Sequence, residues 1–304
     1  RPWSNTGSTG HKEFFGPNAP NGALIHYYLK AKPAAGETVK ITVADKAGTV
    51  VRTLNGSADA GVNRVVWDTR QDSPVPPAPP GAGGAGGGGG FGMFAASMGP
   101  RVEPGDYTVK VAVGGKEATT TVSVQEDLRV RMTAADRAAR RAAIDTLIPR
   151  IGPMVTAQRT IQQMRQSLAS EMEGWKRPGA RVPENVQKAG EALLKKIDDL
   201  YPNFGTPPSE QRGLGDAGPP LVPRPTPYSQ RLTQIYAAIA NMSAAPTAWQ
   251  NEQVTLLTAK ADELVPQVRA LSEELAALNK LMNEAGVPHI TVGPAGGRPG
   301  ARQP

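Results

Sequence analysis

Few residues in this sequence have the types and the spacing that catalysis or metal binding requires. The three histidines, His11, His26 and His289, are not spaced as metal ligands, and the zinc motif HExxH is absent. The chain contains no cysteine, which excludes a disulfide framework, a thiolate zinc site and a cysteine nucleophile. No serine lies in the GxSxG motif of hydrolases. The residues therefore predict neither a metal ion nor any other cofactor.

Neighbouring carboxylates occur as Asp198–Asp199 and Glu273–Glu274, in stretches with a helical pattern. A glycosidase needs two carboxylates that converge across a cleft, whereas sequence neighbours on a helix point in different directions. We interpret both pairs as solvated surface residues, and we predict no catalytic residue in this chain.

A glycine-rich stretch formally contains the GxGxxG pattern of dinucleotide-binding loops at Gly84–Gly89. That fingerprint needs a buried strand before it and a helix after it, whereas here prolines precede it and no helical pattern follows. We interpret residues 71–100 as a Gly/Pro-rich insertion in a loop, because the entropy of loop closure grows only slowly with length. Its apolar residues Phe91, Phe94 and Met98 are candidates for contact with a partner.

The net charge of +7 comes from one segment of the chain. Residues 129–181 contain eleven basic and four acidic residues, while the remainder is neutral. A basic helix could bind polyanions, face an acidic partner domain or simply be solvated. Arg137, Arg140 and Arg141 are the candidate interaction residues of this segment. Nucleic acid is not an expected partner, because no aromatic residues alternate with the arginines.

Residues 14–127 are predicted to form an all-β sandwich of the immunoglobulin-like type. Apolar and polar residues alternate in six or seven short stretches of this region, which is typical of half-buried antiparallel strands. Asp45–Gly48 and Gly114–Gly115 separate successive stretches and are hairpin signals, since glycine adopts positive φ without strain. Both flanks of the insertion belong to this one domain.

Residues 128–286 are predicted to form an all-α antiparallel helical bundle, because their apolar residues recur three and four positions apart. Capping boxes are expected at Thr133 and at Thr247, and Gly286 is expected to cap the last helix. Residues 287–304 are expected to be a flexible C-terminal tail.

Two prolines interrupt the pattern of the first helix. Pro149 and Pro153 each remove a backbone donor and clash with the preceding turn. We therefore expect these prolines to kink or break this helix.

The chain of 304 residues is long enough for two domains. It begins with arginine, and we expect it to be a processed product or a fragment in which residues 1–13 are a linker from a missing upstream domain. No apolar run reaches the 18 or more residues that cross a bilayer, so no transmembrane segment is expected.

Four motifs occur in a recognisable order: FFGPNAPNGALIHYYLK, ITVADKAGTVVRTL, GVNRVVWDTR and GPRVEPGDYTVKV. The set resembles the C-terminal region of large bacterial sialidase-like or sortilin-type BNR-repeat β-propeller proteins, which are described as glycosyl-hydrolase-like. The sandwich within that region is similar to the immunoglobulin-like domain of flagellar hook-capping proteins. In such a domain Trp67 should fill the core, Asp68 should cap the following turn, and Pro104–Gly105 should set the bend before Tyr107.

The propeller itself, with its repeated Asp boxes, is absent from these residues. The resemblance therefore implies a non-catalytic accessory module that packs on or presents an upstream β-propeller. The whole protein would be bacterial and extracytoplasmic, that is, periplasmic or secreted. Two alternatives stay open, namely a part of a glycoside hydrolase whose active site lies mainly in the propeller, and a polyanion-binding module. Assembly into a homo-oligomer is also open.

Overall fold

A computed structural model of the chain describes residues 19–77, 98–130, 132–179, 181–205 and 225–290. The chain divides into two compact units. The β unit comprises Arg1–Asp72 and Gly99–Arg131, and the helical unit comprises Ser73–Met98 and Met132–Pro304. The predicted linker, Phe91 and Phe94 in the insertion, and the end of the predicted tail lie outside the described residues. The start of that tail is not flexible as expected, because Val287 and Ile290 are buried in the core of the helical unit and Asn279 bonds to the Ile290 backbone.

In the part of the β unit that the structure describes, six strands form two antiparallel sheets. One sheet has two strands in the order β1–β4, and the other has four strands in the order β3–β2–β5–β6. The strands are β1 (Ala23–Leu29), β2 (Val39–Ala44), β3 (Val50–Gly56), β4 (Gly61–Trp67), β5 (Gly105–Val113) and β6 (Lys116–Val124).

Two short turns set the register of the larger sheet. Gly114 and Gly115 connect β5 to β6 with φ values of 54° and 74°, a pair of positive angles that matches the right-handed twist of a hairpin. Between β2 and β3, the Asp45 carboxylate accepts hydrogen bonds of 2.9 Å from the backbone N–H groups of Ala47 and Thr49. Both connections lie where the sequence predicts hairpins.

Trp67 lies at the centre of the β unit's core and is fully buried. Its indole Nε1–H donates to the backbone carbonyl of Arg70 at 2.9 Å, so the buried polar atom has a partner. Its ring meets the Tyr107 ring edge-on, with centroids 5.4 Å apart. The inward residues of the larger sheet complete this core; those fully buried are Val39, Ile41, Val43 and Val109.

The chain around this aromatic pair is held by short-range bonds. The Asp68 carboxylate accepts from the backbone N–H of Arg70 at 3.2 Å and so closes the turn after β4. Gly105, which follows Pro104, begins β5 with φ 154°, a conformation that favours glycine. The Tyr107 hydroxyl donates to the Glu103 carbonyl at 2.7 Å. These bonds tie the start of β5 to the segment before it.

The described residues of the helical unit form four α-helices. Thr133 and Thr247 each form a capping box with the residue three positions later, as the sequence predicts. The helices are α1 (Ala134–Trp175), α2 (Glu184–Leu200), α3 (Tyr228–Asn241) and α4 (Ala248–Glu284), and a 3-10 turn, Tyr201–Asn203, follows α2. None of the helices in the described ranges is long and apolar enough to cross a membrane.

Pro149 and Pro153 are expected to kink or break the first helix, and a break is wrong. Both prolines lie inside α1, which runs unbroken for 42 residues. A proline inside a helix costs about 3 kcal/mol, but the turns around these two bury Leu147, Ile151 and Met154 almost completely. Burial of three large apolar side chains offsets that cost, since each contributes about 1.5–3 kcal/mol.

The end of α4 differs slightly from the expected cap. Ala285, not Gly286, is the capping residue, and Gly286 follows it with φ 68°. The N–H of Val287 donates to the Met282 carbonyl at 2.8 Å, and that of Gly286 donates to the Asn283 carbonyl at 3.1 Å. This bond pair is a Schellman motif, which satisfies the last carbonyls of the helix.

One apolar core unites the helical unit. Helix α1 contacts α2, α3 and α4, and α4 also contacts α2 and α3. The fully buried side chains of this core are Leu147, Ile151, Ile161, Met164, Leu168, Val186, Ile197, Tyr236 and Met282.

Replacing Trp67 by alanine should destabilise the β unit by roughly 3–5 kcal/mol, because a large buried side chain leaves a cavity. Urea unfolding followed by the β signal in circular dichroism measures this loss. Trp249→Ala is the matched control, since Trp249 is 62% exposed. A Trp67→Ala variant as stable as the parent would contradict the position of this residue in the core.

Replacing both Leu264 and Leu271 by aspartate should abolish the cooperative thermal transition of the helical signal, because two charges would enter the apolar core. Gln267→Asp with Ala270→Asp adds the same charge on the exposed side of α4 and should leave the transition in place. Normal cooperativity in the Leu264/Leu271 variant would count against a packed helical core.

Candidate interaction surfaces

The described residues contain no group of three or more His, Cys, Asp or Glu side chains that could hold a metal ion. His26 on β1 and His289 after α4 are exposed, and His11 lies outside the described residues. The candidate sites described below are therefore surfaces that could bind a partner.

The arginines of the basic segment form bonds within the helical unit. Arg150 on α1 forms an ion pair of 2.9 Å with Asp262 on α4. Arg165 on α1 pairs with Asp198 on α2 at 2.6 Å, and its guanidinium lies 5.4 Å from the centre of the Tyr201 ring. These side chains connect neighbouring helices, so carboxylates of α2 and α4 partly neutralise the positive charge of this segment.

The three candidate arginines at the start of α1 do not form one exposed basic face. Arg140 is buried, and its guanidinium donates to the Met242 carbonyl at 2.9 Å. Arg141 pairs with Asp145 one turn later at 2.9 Å, while Arg137 is half-buried. Arg140 is therefore corrected from an interaction residue to a residue that holds α1 and the end of α3 together.

Of the three apolar candidates on the insertion, Met98 is described. It is half-buried in the helical unit, and its carbonyl accepts a hydrogen bond of 3.1 Å from the Tyr236 hydroxyl. At the other end of the insertion, Ser73–Pro77 also belongs to the helical unit. Ser73–Pro77 and Met98 are therefore held by the helical unit, while the first two and the last two residues of the insertion belong to the β unit.

The outer face of the β1–β4 sheet exposes several large apolar side chains. Tyr28 is 68% exposed and Val62 is 76% exposed, and the two residues face each other across the strands. Leu24, at the other end of the face, is 45% exposed opposite Val66. We name these four residues the β1–β4 outer face. Apolar residues on a sheet surface are typical of a face that another layer covers.

Polar side chains lie between the apolar ends of this face. His26 is paired with Arg64 across the two strands, in the register between Leu24–Val66 and Tyr28–Val62. The face therefore has apolar residues at both ends and polar side chains, of which Arg64 is cationic, at its centre.

The alternation of apolar and polar residues did not predict this face, although the sequence of β1 contains a signal for it. In ALIHYYL, apolar residues occupy positions of both parities, because Ile25 and Tyr27 point inward while Leu24 and Tyr28 point outward. A strand with one solvated face would alternate with polar residues, so this run is typical of a strand covered on both faces.

An open cleft of about 890 Å³ lies in the β unit between β1 and the β5–β6 hairpin. Its two carboxylates have structural partners, since Glu37 accepts from the backbone N–H of Ala34 and Glu117 pairs with Lys110 at 3.0 Å. Tyr27 also lines it; burial, with a smaller contribution from Asp59, raises the pKa of its hydroxyl, which donates to the Ser57 carbonyl. The cleft thus lacks two converging free acids among the described residues.

A second cavity, of about 600 Å³, lies between α3 and the start of α4. The exposed Trp249 lines it, beside Arg231, which donates to Gln253 at 2.8 Å. The Arg231 guanidinium also lies 5.2 Å from the centre of the Tyr228 ring. These contacts orient Arg231 within its own unit.

Replacing Arg140 by alanine should destabilise the helical unit by roughly 1–3 kcal/mol, because a buried hydrogen bond to the Met242 carbonyl is lost together with packing of the side chain. Arg141→Ala should change stability by less than about 0.5 kcal/mol, since its ion pair is exposed. Urea unfolding of the helical signal compares the two. Equal losses of stability in the two variants would contradict the assignment of Arg140 as a structural residue and Arg141 as a surface residue.

Comparison with known proteins gives no match: no protein family, curated protein or solved structure is similar to this chain at a significant level.

Proposed function

We propose that this chain is a non-catalytic interaction module that docks through the β1–β4 outer face onto an upstream β-propeller of an extracytoplasmic bacterial protein. The observation that carries the proposal is the exposure of Leu24, Tyr28 and Val62 on one side of a two-stranded sheet. The propeller as partner comes from the family resemblance of the sequence motifs.

The strand order supports an immunoglobulin-like assignment of the β unit. If β1 to β6 correspond to strands B, C, C′, E, F and G, then the pairs B–E and C′–C–F–G match the two sheets of that fold. The Tyr107 hydroxyl bond to the Glu103 carbonyl, at the start of β5, is similar to the tyrosine corner of these domains. An immunoglobulin-like fold alone does not imply a function, so the exposed apolar face is what supports a docking role.

The outer face has the composition of a binding site. Tyrosine contributes strongly at protein interfaces because it buries a large apolar area and keeps a hydrogen-bonding hydroxyl. Each 100 Å² of apolar surface removed from water contributes about 2.5 kcal/mol before the cost of association. Tyr28 and Val62 are adjacent, so a partner would desolvate both together.

The position of the face in the chain favours a tethered domain as its partner. The face lies on β1, which is the first strand of the described residues and begins at Ala23. A domain joined ahead of β1 would be held close to the face, at an effective concentration of the order of millimolar. Even a weak surface interaction would then be occupied.

The charges and carboxylates argue against the two alternatives. Polyanion binding needs arginines free to contact phosphates or sulfates, whereas Arg140, Arg150 and Arg165 are bonded inside the helical unit. A hydrolase needs an acid pair across a cleft, whereas Glu37 and Glu117 are bonded to neighbouring groups.

The absence of cysteine allows a direct test with single-cysteine variants. In Val62→Cys, the thiol should react rapidly in the 304-residue chain because the position is 76% exposed. In the full-length product of the gene, docking should slow this reaction about tenfold or more. Val50→Cys, on β3 of the other sheet and 52% exposed, is the control and should react equally in both proteins.

Equal reactivity of Val62→Cys in the two proteins would overturn the docking proposal. In parallel, the purified chain is incubated with sialosides and other glycosides, and no turnover is expected. Turnover that survives repurification and disappears in a Glu37→Gln or Glu117→Gln variant would replace the proposal with the hydrolase alternative.

A further inference from the structure

The Pro-rich start of the insertion is bound along helix α1. The Arg159 guanidinium donates two hydrogen bonds of 3.2 Å, one from Nη1 to the Pro77 carbonyl and one from Nη2 to the Pro76 carbonyl. Arginine presents its N–H groups as a planar fork, which suits two successive carbonyl oxygens. A lysine has no such fork and could not make the same pair of bonds with fixed geometry.

A second contact lies two helical turns earlier. A Cβ added to Gly152 would lie 3.2 Å from the Pro74 carbonyl oxygen and 3.9 Å from ring atoms of Pro76. Glycine at this position therefore lets the segment lie close to the helix backbone. Val75, between these prolines, packs against the apolar core of the helical unit.

The two contacts lie at different heights along α1, and the bound segment bends between them. Gly152 and Arg159 are seven residues apart on α1, which is about 10.5 Å along one side of the helix. The segment bends at Pro74 and Val75, and the long Arg159 side chain reaches the carbonyls of Pro76 and Pro77 beyond this bend. The segment thus lies along α1, with Pro74 at Gly152 and Pro77 at Arg159.

The segment is ordered by its own chemistry before it makes these contacts. Each proline fixes its own φ and restricts the residue before it to extended conformations. The Ser73 hydroxyl oxygen also accepts from the backbone N–H of Val75 at 3.1 Å, which forms a local turn. Little conformational entropy is lost on binding, and the proline carbonyls have no bonds within an extended chain.

We propose that the groove of α1 between Gly152 and Arg159 is a recognition site for proline-rich segments of the type Ser-Pro-x-Pro-Pro, occupied in cis by Ser73–Pro77. The recognition has three parts: the Arg159 fork for two carbonyls, the glycine that admits the chain and the apolar surface that receives Val75. This site is separate from the outer face of β1–β4, and it attaches the start of the insertion to the helical unit.

The first arm of the test uses Val75→Cys as a reporter in the otherwise cysteine-free chain. Adding Arg159→Ala should raise the labelling rate of this thiol about tenfold, because both carbonyl bonds are lost. Arg159→Lys keeps the charge and should also raise the rate, whereas Arg150→Ala removes an α1 arginine paired elsewhere and should not. Circular dichroism checks that each variant is folded.

The second arm supplies the segment in trans. In a chain whose residues 73–77 are replaced by Gly-Ser-Gly-Ser-Gly, a fluorescent peptide with the sequence of residues 71–78 should bind, at concentrations up to the order of millimolar. Adding Arg159→Ala to that chain should weaken binding about tenfold. A peptide with alanine in place of its prolines should bind more weakly, because it is not preordered.

Two results would overturn the proposal. If the thiol at position 75 reacts at the same rate with and without Arg159→Ala, the segment is not held by this arginine. If the rate responds but the peptide does not bind the emptied groove, or binds it equally without Arg159, the contact is local packing and not a recognition site. Failure of the propeller docking described above would affect neither readout.

Discussion

The structure of the helical unit depends on one continuous apolar stripe along α1. Leu147, Ile151, Ile161, Met164 and Leu168 are fully buried on this stripe, and each of the other three helices packs against α1. The stripe also explains why the helix continues through its two prolines, since the apolar residues on either side of them are buried by the same core. The Pro-rich segment Ser73–Pro77 lies along the same helix.

The buried stripe restricts the charged side chains of α1 to the other sides of the helix. Because one side of the helix faces the core, arginines at its flanks reach groups on neighbouring elements: Asp262 on α4, Asp198 on α2 and the Pro76 and Pro77 carbonyls. Each exposed ion pair contributes about 1 kcal/mol or less. Together these bonds help to fix the position of α1 against the neighbouring elements. The apolar outer face of β1–β4 is therefore a better candidate for binding a partner than the basic segment.

Local patterns in the sequence predicted the local structure well. Alternation located the strands around Trp67, and the spacing of Thr133 and Thr247 to their partners located two helix starts. The failures have non-local causes. The continuity of α1 at Pro149 depends on burial by other helices, and the role of Arg140 depends on a carbonyl 102 residues away. The bond from Arg159 to Pro77 spans 82 residues, which no local pattern reveals.

The central claim is that the arginines of α1 are bonded within the helical unit and do not form an open basic surface. The most direct measurement is nitrogen-15 relaxation of the arginine Nε–H groups in the intact chain. We predict order parameters near the rigid value of about 0.85 for Arg140, Arg150, Arg159 and Arg165, and lower values for the exposed Arg269. Values below about 0.6 for all five arginines would contradict the account.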